Sequence, residues 1–310
     1  MITLNSIIKK IIYKINIRKI TIKMNKLNGL FYGILSSASF GLIPLFAIPV
    51  MQNGMDFMNV LSYRFIFATI SLAIMLKIRN VSFAIERKDL PPLLLLAVFY
   101  LMSAVFLLWG YNFMPSGVAT TIHFMYPVIT TLLMIVFFHE KNSLWRTLAI
   151  VLAICGVYAL SHSDSQGETN ITGVIIVLLS AVGYALYLVT VGQKKSKSLQ
   201  GLRLTFYVFF FGTVMLVAGM AATGNLRPIP DMASAGNLIM LALVPTVVSN
   251  LALIEAIKNI GATQTSVLGA MEPVTAVIVG IAVFGEAFSL YIAVGIILII
   301  SAVTIIILKR

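Results

Sequence analysis

Charge is what this chain has least of. Only 10 of its 310 residues are Asp or Glu, and all charged residues together make up 10%. A soluble domain carries about 25%, so these charges cannot cover a water-exposed surface. Cysteine is scarcer still. The single Cys155 falls inside an apolar run, forms no intrachain disulfide and says nothing of redox compartment. Of the three histidines, His123, His139 and His162, the last two sit at the ends of apolar runs, so no metal cluster is expected. H-E-x-x-H and G-x-S-x-G are both missing, which argues against an intramembrane enzyme, and no cofactor is expected. The net charge of +12 would suit nucleic acid, but the basic residues lie between apolar runs rather than along one soluble face. No nucleic-acid partner is therefore expected.

What the chain does have is hydrophobic length: 60% apolar residues and a mean hydropathy of +1.02. The apolar residues come in runs of roughly 20, enough to cross about 30 Å of hydrocarbon. The runs predict an all-α membrane protein with ten spans, near 28–49, 58–76, 90–110, 116–138, 143–161, 171–191, 202–222, 235–256, 262–284 and 288–308. With a cytoplasmic N-terminus, the inside segments hold 20 of the 22 basic residues; Arg227 lies outside and Arg64 within a span. That asymmetry is the positive-inside pattern and places both termini in the cytoplasm, in a bacterial inner membrane. The Lys- and Ile-rich arm at 1–27 lacks a signal-peptide cleavage site. It reads either as a basic amphipathic helix on lipid headgroups or as an extension upstream of a start at Met24, the simpler expectation. Lys194, Lys195 and Lys197, in the link after the sixth span, read as topology signals and lipid contacts.

The chain also repeats itself. A shift of 146 places Pro127, Glu140, Ser143 and Leu144 on Pro273, Glu286, Ser289 and Leu290; a shift of 144 places Gly29, Leu35 and Ser36 on Gly173, Leu179 and Ser180. Each copy, 28–161 and 171–308, holds five spans. Five is odd, so the second copy enters from the opposite side and the repeats are inverted, as alternating access through a midplane site requires. With its ten spans, duplicated halves and Glu272-Pro273 in the ninth span, the chain resembles the EamA family of the drug/metabolite transporter superfamily from about Asn28 to Leu308. It departs from the commoner pattern in having Tyr126 rather than a carboxylate before Pro127. The resemblance implies efflux of an amino acid or other small metabolite, by a monomer or homodimer, through a cavity lined by the first, third, fourth, sixth, eighth and ninth spans.

Within that frame, Pro127 and Pro273 are the helix-break candidates, each near the centre of its span, and would uncover the carbonyls of His123 and Gly269. The alternative is a simple kink filled by neighbours. Glu272 is the leading substrate- or proton-binding candidate, because an ionised carboxylate at bilayer depth costs several kcal/mol unless paired or protonated. Its alternative is a protonated acid that only stiffens the bundle. His123, one turn before Pro127, either titrates with substrate or satisfies a neighbouring helix. Tyr100, Trp109, Tyr126, Tyr184 and Tyr187 supply aromatic faces, although Trp109 also suits an outer aromatic belt. Asn250 is a polar group in need of a partner. Arg64, roughly 9 Å from an outer span end, is expected to snorkel to the interface, and Glu140 and Glu286 to serve as caps or interfacial groups at span ends. Two other classes remain beside proton-coupled export: a facilitative carrier, and a receptor or assembly protein with no flux.

The charge asymmetry generates a direct test. Cysteines at Gln166 and Asn225 should label from outside with a membrane-impermeant maleimide, and one at Ser196 should not; the reverse pattern overturns the inverted-repeat topology.

Overall fold

The computed structural model describes residues 26–139, 143–161, 171–192 and 201–308. The N-terminal arm before residue 26, Glu140 and the link holding Lys194, Lys195 and Lys197 lie outside the described residues. Among the described residues the chain is all helix, with no strand. In order, α1 covers 26–40, α2 Ile43–Gln52, α3 Phe57–Ile78, α4 Leu90–Gly110, α5 Ser116–His123, α6 Tyr126–Phe138 and α7 Leu144–Ser161. They are followed by α8 Ile171–Gly192, α9 Leu202–Ala222, α10 Met232–Ala242, α11 Ser249–Leu268, α12 Met271–Phe284 and α13 Leu290–Leu308. A π-helical segment, Leu243–Val248, joins α10 to α11.

Seven helical runs are long and apolar enough to cross a membrane: Lys26–Gln52, Phe57–Ile78, Arg87–Gly110, Ser116–Phe138, Ile171–Val191, Leu202–Ala222 and Met232–Ala256. Three more apolar helices are shorter. Most boundaries fall within a few residues of the apolar runs. The exception is the expected gap between spans ending at 256 and starting at 262, because the backbone stays helical from Ser249 to Leu268 and breaks only at Gly269–Ala270. Pro273 explains the displacement. It has no N–H to give and sits in the first turn of α12, where that loss is tolerated.

The main packings join one half of the chain to the other. α3 lies on α9, α4 on α8 and α9, α5 on α12, α7 on α13, and α10 on α2 and α3. Polar contacts between these helices repeat in step with the duplication. Ser36 and Ser249 exchange bonds to each other's carbonyls, 2.9 Å each, joining α1 to α11. The residues equivalent to them, Ser180 and Ser103, join α8 to α4, with Ser180 Oγ donating to Ser103 O at 2.7 Å. Thr69 and Thr213, which are each other's equivalents, meet hydroxyl to hydroxyl at 2.9 Å between α3 and α9. In hydrocarbon, where helices gain nothing from burying apolar surface against each other, such hydroxyl bonds and small-residue contacts supply the association.

Segments assigned to one face of the membrane also lie together. Asp56 caps α3, accepting from Met58 N and Asn59 N at 2.9 and 3.1 Å. The fully buried Asn59 then ties that end to the loop after α9, donating to Asn225 O at 3.0 Å and accepting from Arg227 N at 2.9 Å. On the opposite face, Tyr207 donates to Phe83 O and Arg203 to Ala84 O. Arg64 is a correction. It does not snorkel: it is 1% exposed, inside the bundle, with Nε donating to Thr246 Oγ1 at 2.9 Å.

Asn59→Ala removes a buried amide and its two part-buried bonds to Asn225 O and Arg227 N, and is expected to destabilise the protein by about 1–3 kcal/mol. Thermal melting in detergent should show it.

Candidate functional site

Three interruptions of helical backbone come together inside the bundle. One is at Gly41–Leu42 between α1 and α2, one at Phe124–Met125 between α5 and α6, and one at Gly269–Ala270 between α11 and α12. The first meets the third because residue 41 is glycine: a Cβ there would stand 2.5 Å from the carbonyl oxygen of Glu272 and 2.8 Å from Thr275 Cβ. It meets the second through Phe40, whose ring stacks on the His123 imidazole at 6.3 Å and 13°. Pro127 stands in the first turn of α6 and Pro273 in that of α12, so neither kinks a continuous helix. Each opens a new one. The Gly269 carbonyl, expected to be uncovered, accepts from Glu272 N at 2.9 Å in the intervening turn.

His123 is 1% exposed and lies at the end of α5. Its Nδ1 is 2.9 Å from Ser180 Oγ, and Ser180 gives its own proton to Ser103 O. Nδ1 must therefore carry the imidazole proton and donate, which leaves Nε2 as a bare acceptor. That nitrogen is buried without a partner among the described residues. The His123 ring touches Tyr126 at 5.7 Å and Tyr184 at 5.6 Å. Tyr126 and Tyr184 meet edge to face at 4.7 Å, and Tyr187 continues the wall to the buried Tyr100 at 5.3 Å. Five of the candidates, His123, Tyr126, Tyr184, Tyr187 and Tyr100, are thus one aromatic cluster drawn from α4, α5, α6 and α8.

Glu272 enters from α12. It is 5% exposed and in the first turn, where the unpaired N–H groups of a helix start favour negative charge. Its Oε1 is buried with no hydrogen-bond partner among the described residues. Glu272 lies within electrostatic reach of Tyr100, Tyr126 and Tyr184, so the carboxyl and the aromatic wall belong to one region. Asn250, half-buried on α11, donates to Thr246 O at 2.7 Å and interacts with the Tyr100 hydroxyl. Trp109 stands apart, stacked on Phe57 at 6.0 Å and on Phe106 at 6.1 Å near the end of α4.

An acid without a partner, an imidazole with a free lone pair and a wall of phenols can hold a small solute by hydrogen bonds and ring contacts. Among the described residues no group of three His, Cys, Asp or Glu could hold a metal ion. Sequence reasoning missed Phe40, Ser103 and Ser180. The alignments of Ser36 on Ser180 and of Ser103 on Ser249 were usable signals for the two serines; Phe40 carries none.

The EamA-like transporter family model matches residues 27–162 and, a second time, 171–308. An uncharacterized transporter of Archaeoglobus fulgidus is 25% identical over 73% of this chain and 80% of its own. An uncharacterized transporter of Synechocystis sp. is 30% identical over 56% and 53%, and mouse solute carrier family 35 member G1 is 26% identical over 59% and 52%. A solved crystal structure, 14% identical, shares the fold over 91% of this chain and 96% of its own at a TM-score of 0.63. Two copies of one family model, end to end over most of the chain, establish that it belongs to the EamA-like transporter family of the drug/metabolite transporter superfamily and is a multi-pass membrane transporter.

Proposed function

We propose that the protein exports a small metabolite such as an amino acid across the bacterial inner membrane, by alternating access and coupled to protons through Glu272. Ten spans, arranged as two inverted five-helix repeats with both termini cytoplasmic, do the work: the seven long helical runs together with α7, α12 and α13. The observation that carries this reading is the convergence of interrupted helices from both family-model copies on an unpartnered carboxyl. Broken helices in corresponding positions of two halves are where transporters bind substrate, and irregular backbone at membrane depth is tolerated only where it is buried or lines a cavity. The duplicated hydroxyl contacts give further support, since they tie each half to the other by equivalent groups, so that exchanging the halves' conformations exchanges like contacts for like.

Glu286 supplies a closure on the outer side. α5 has no side-chain cap of its own, and Glu286, placed by the left-handed Gly285 at the end of α12 (φ 64°), fills that position from the other half. Its carboxylate accepts from Ser116 N and Ser116 Oγ at 2.7 Å each and from Gly117 N at 3.3 Å. An outward-facing state must part the outer ends of α5 and α12 and break this cap. Charge-assisted bonds of this kind contribute about 1.5–3 kcal/mol. With Cys155 replaced by serine, Glu286→Ala should therefore raise maleimide labelling of a cysteine at the buried Val118 roughly tenfold or more from the outer side. Unchanged labelling would leave Glu286 as a static cap.

Coupling is tested at Glu272. Glu272→Gln mimics the protonated acid, so the protein should insert and exchange solute, while accumulation driven by a pH gradient is lost. A purely structural acid predicts near-normal gradient-driven transport, because glutamine keeps its size and most of its hydrogen-bonding capacity. Wild-type transport indifferent to a pH gradient would show a facilitator.

A further inference from the structure

Arg64 is the largest fully buried side chain among the described residues, together with Phe65 and Phe124. Its environment is unlike that of a structural arginine. A guanidinium has five N–H groups to place, and within a membrane it is stabilised by acids or by backbone carbonyls. Among the described residues Arg64 uses one, from Nε to Thr246 Oγ1, and no carboxylate stands within ion-pair distance of it. Among the described residues the two terminal nitrogens, the fork that binds oxyanions side by side, donate no hydrogen bond.

The surroundings hold this fork in place. Thr246 lies in the π-helical segment, donates its own proton to Leu241 O at 3.0 Å and so presents a lone pair to Nε. Such π segments recur at functional sites because they turn a side chain out of helical register. Asn250, four residues on, secures the Thr246 carbonyl at 2.7 Å and reaches the Tyr100 hydroxyl. Tyr100 and Tyr111 are the titratable groups that act on Arg64, and both also lie within reach of Glu272. Tyr100 is itself the end of the aromatic wall that runs through Tyr187 and Tyr184 to His123. Arg64 and Glu272 therefore share Tyr100 and Tyr111 as neighbours, and Arg64 belongs to the same region of the bundle.

We propose that Arg64 binds the anionic end of the transported solute, a carboxylate or phosphate oxyanion, through its terminal nitrogens, with the Tyr100 hydroxyl beside it. The buried cation is compensated when the solute is bound, which makes an oxyanion a requirement for transport. This assignment rests on the transport reading and narrows its substrate class.

The test uses the purified full chain in proteoliposomes and matched solute pairs: leucine with isoamylamine, phenylalanine with phenethylamine, propionate with propanol, and glycerol 3-phosphate with glycerol. Exchange is expected for at least one carboxylate or phosphate, at least tenfold above its partner lacking the oxyanion, and the pair that responds tells carboxylate from phosphate. Arg64→Lys keeps the charge but loses the fork and should raise KM tenfold or more for that solute; Arg64→Gln should abolish the preference. Exchange confined to amines or neutral solutes, or wild-type KM in both variants, overturns the assignment and leaves the transport reading standing. Exchange of no solute at all overturns both. Should both variants misfold, the wild-type comparison of paired solutes alone decides.

Discussion

In hydrocarbon a backbone amide or a charged side chain has no water to turn to, and each one left unsatisfied costs several kcal/mol. Every other feature of this protein answers to that constraint. It explains the unbroken helices of α3, α8 and α9, whose backbone bonds close within each segment. It also makes the exceptions informative: three interruptions of helical backbone and, among the described residues, an arginine with one side-chain bond and a glutamate whose Oε1 has none, all inside the bundle. A chain that only had to sit in a membrane would have no reason to collect its unsatisfied groups in one place.

The polar groups divide by what they bind. Asn59, Asp56, Ser36, Ser249 and the Thr69–Thr213 pair are bonded within the protein and join helix to helix or helix to loop. His123 is half in each class. Its Nδ1 is held by Ser180, which fixes the ring and its tautomer, while Nε2 is left open. Among the described residues Glu272 Oε1 has no hydrogen-bond partner and the terminal nitrogens of Arg64 donate no bond, which is the basis of the binding roles proposed for both.

Much of this was legible in the residues, and the limits are physical. Runs of apolar residues placed most helices to within a few residues because span length is set by the bilayer, but not the break between α11 and α12. Glu272 stood out because a charge in an apolar run is rare. Pro127 and Pro273 marked two interruptions, whereas the one at Gly41–Leu42 passed unnoticed although Pro44 follows it closely. Arg64 was misplaced because distance from a span end does not give rotation about the helix axis, and α3, nearly apolar all round, offers no stripe to set it. Trp109 and Tyr100 share a helix, yet only Tyr100 reaches the central cluster. Glu286 was read as an end group. Its partner lies 170 residues away on α5, which no local pattern announces.

The close packing of α7 on α13 has a consequence for how the protein is made. Gly156 and Gly295 let these helices approach until a Cβ on either would stand about 3 Å from the other's carbonyl, and among the described elements no earlier helix packs on α7 as extensively as α13 does. At a growth rate of about 5–20 residues per second, the ribosome adds the intervening stretch in roughly 7 to 28 s. For that interval α7, and α4 before α8 arrives, must wait in lipid or against the insertion machinery with small-residue faces unmatched. The α7–α13 contact therefore forms only once synthesis has reached the C-terminal helix.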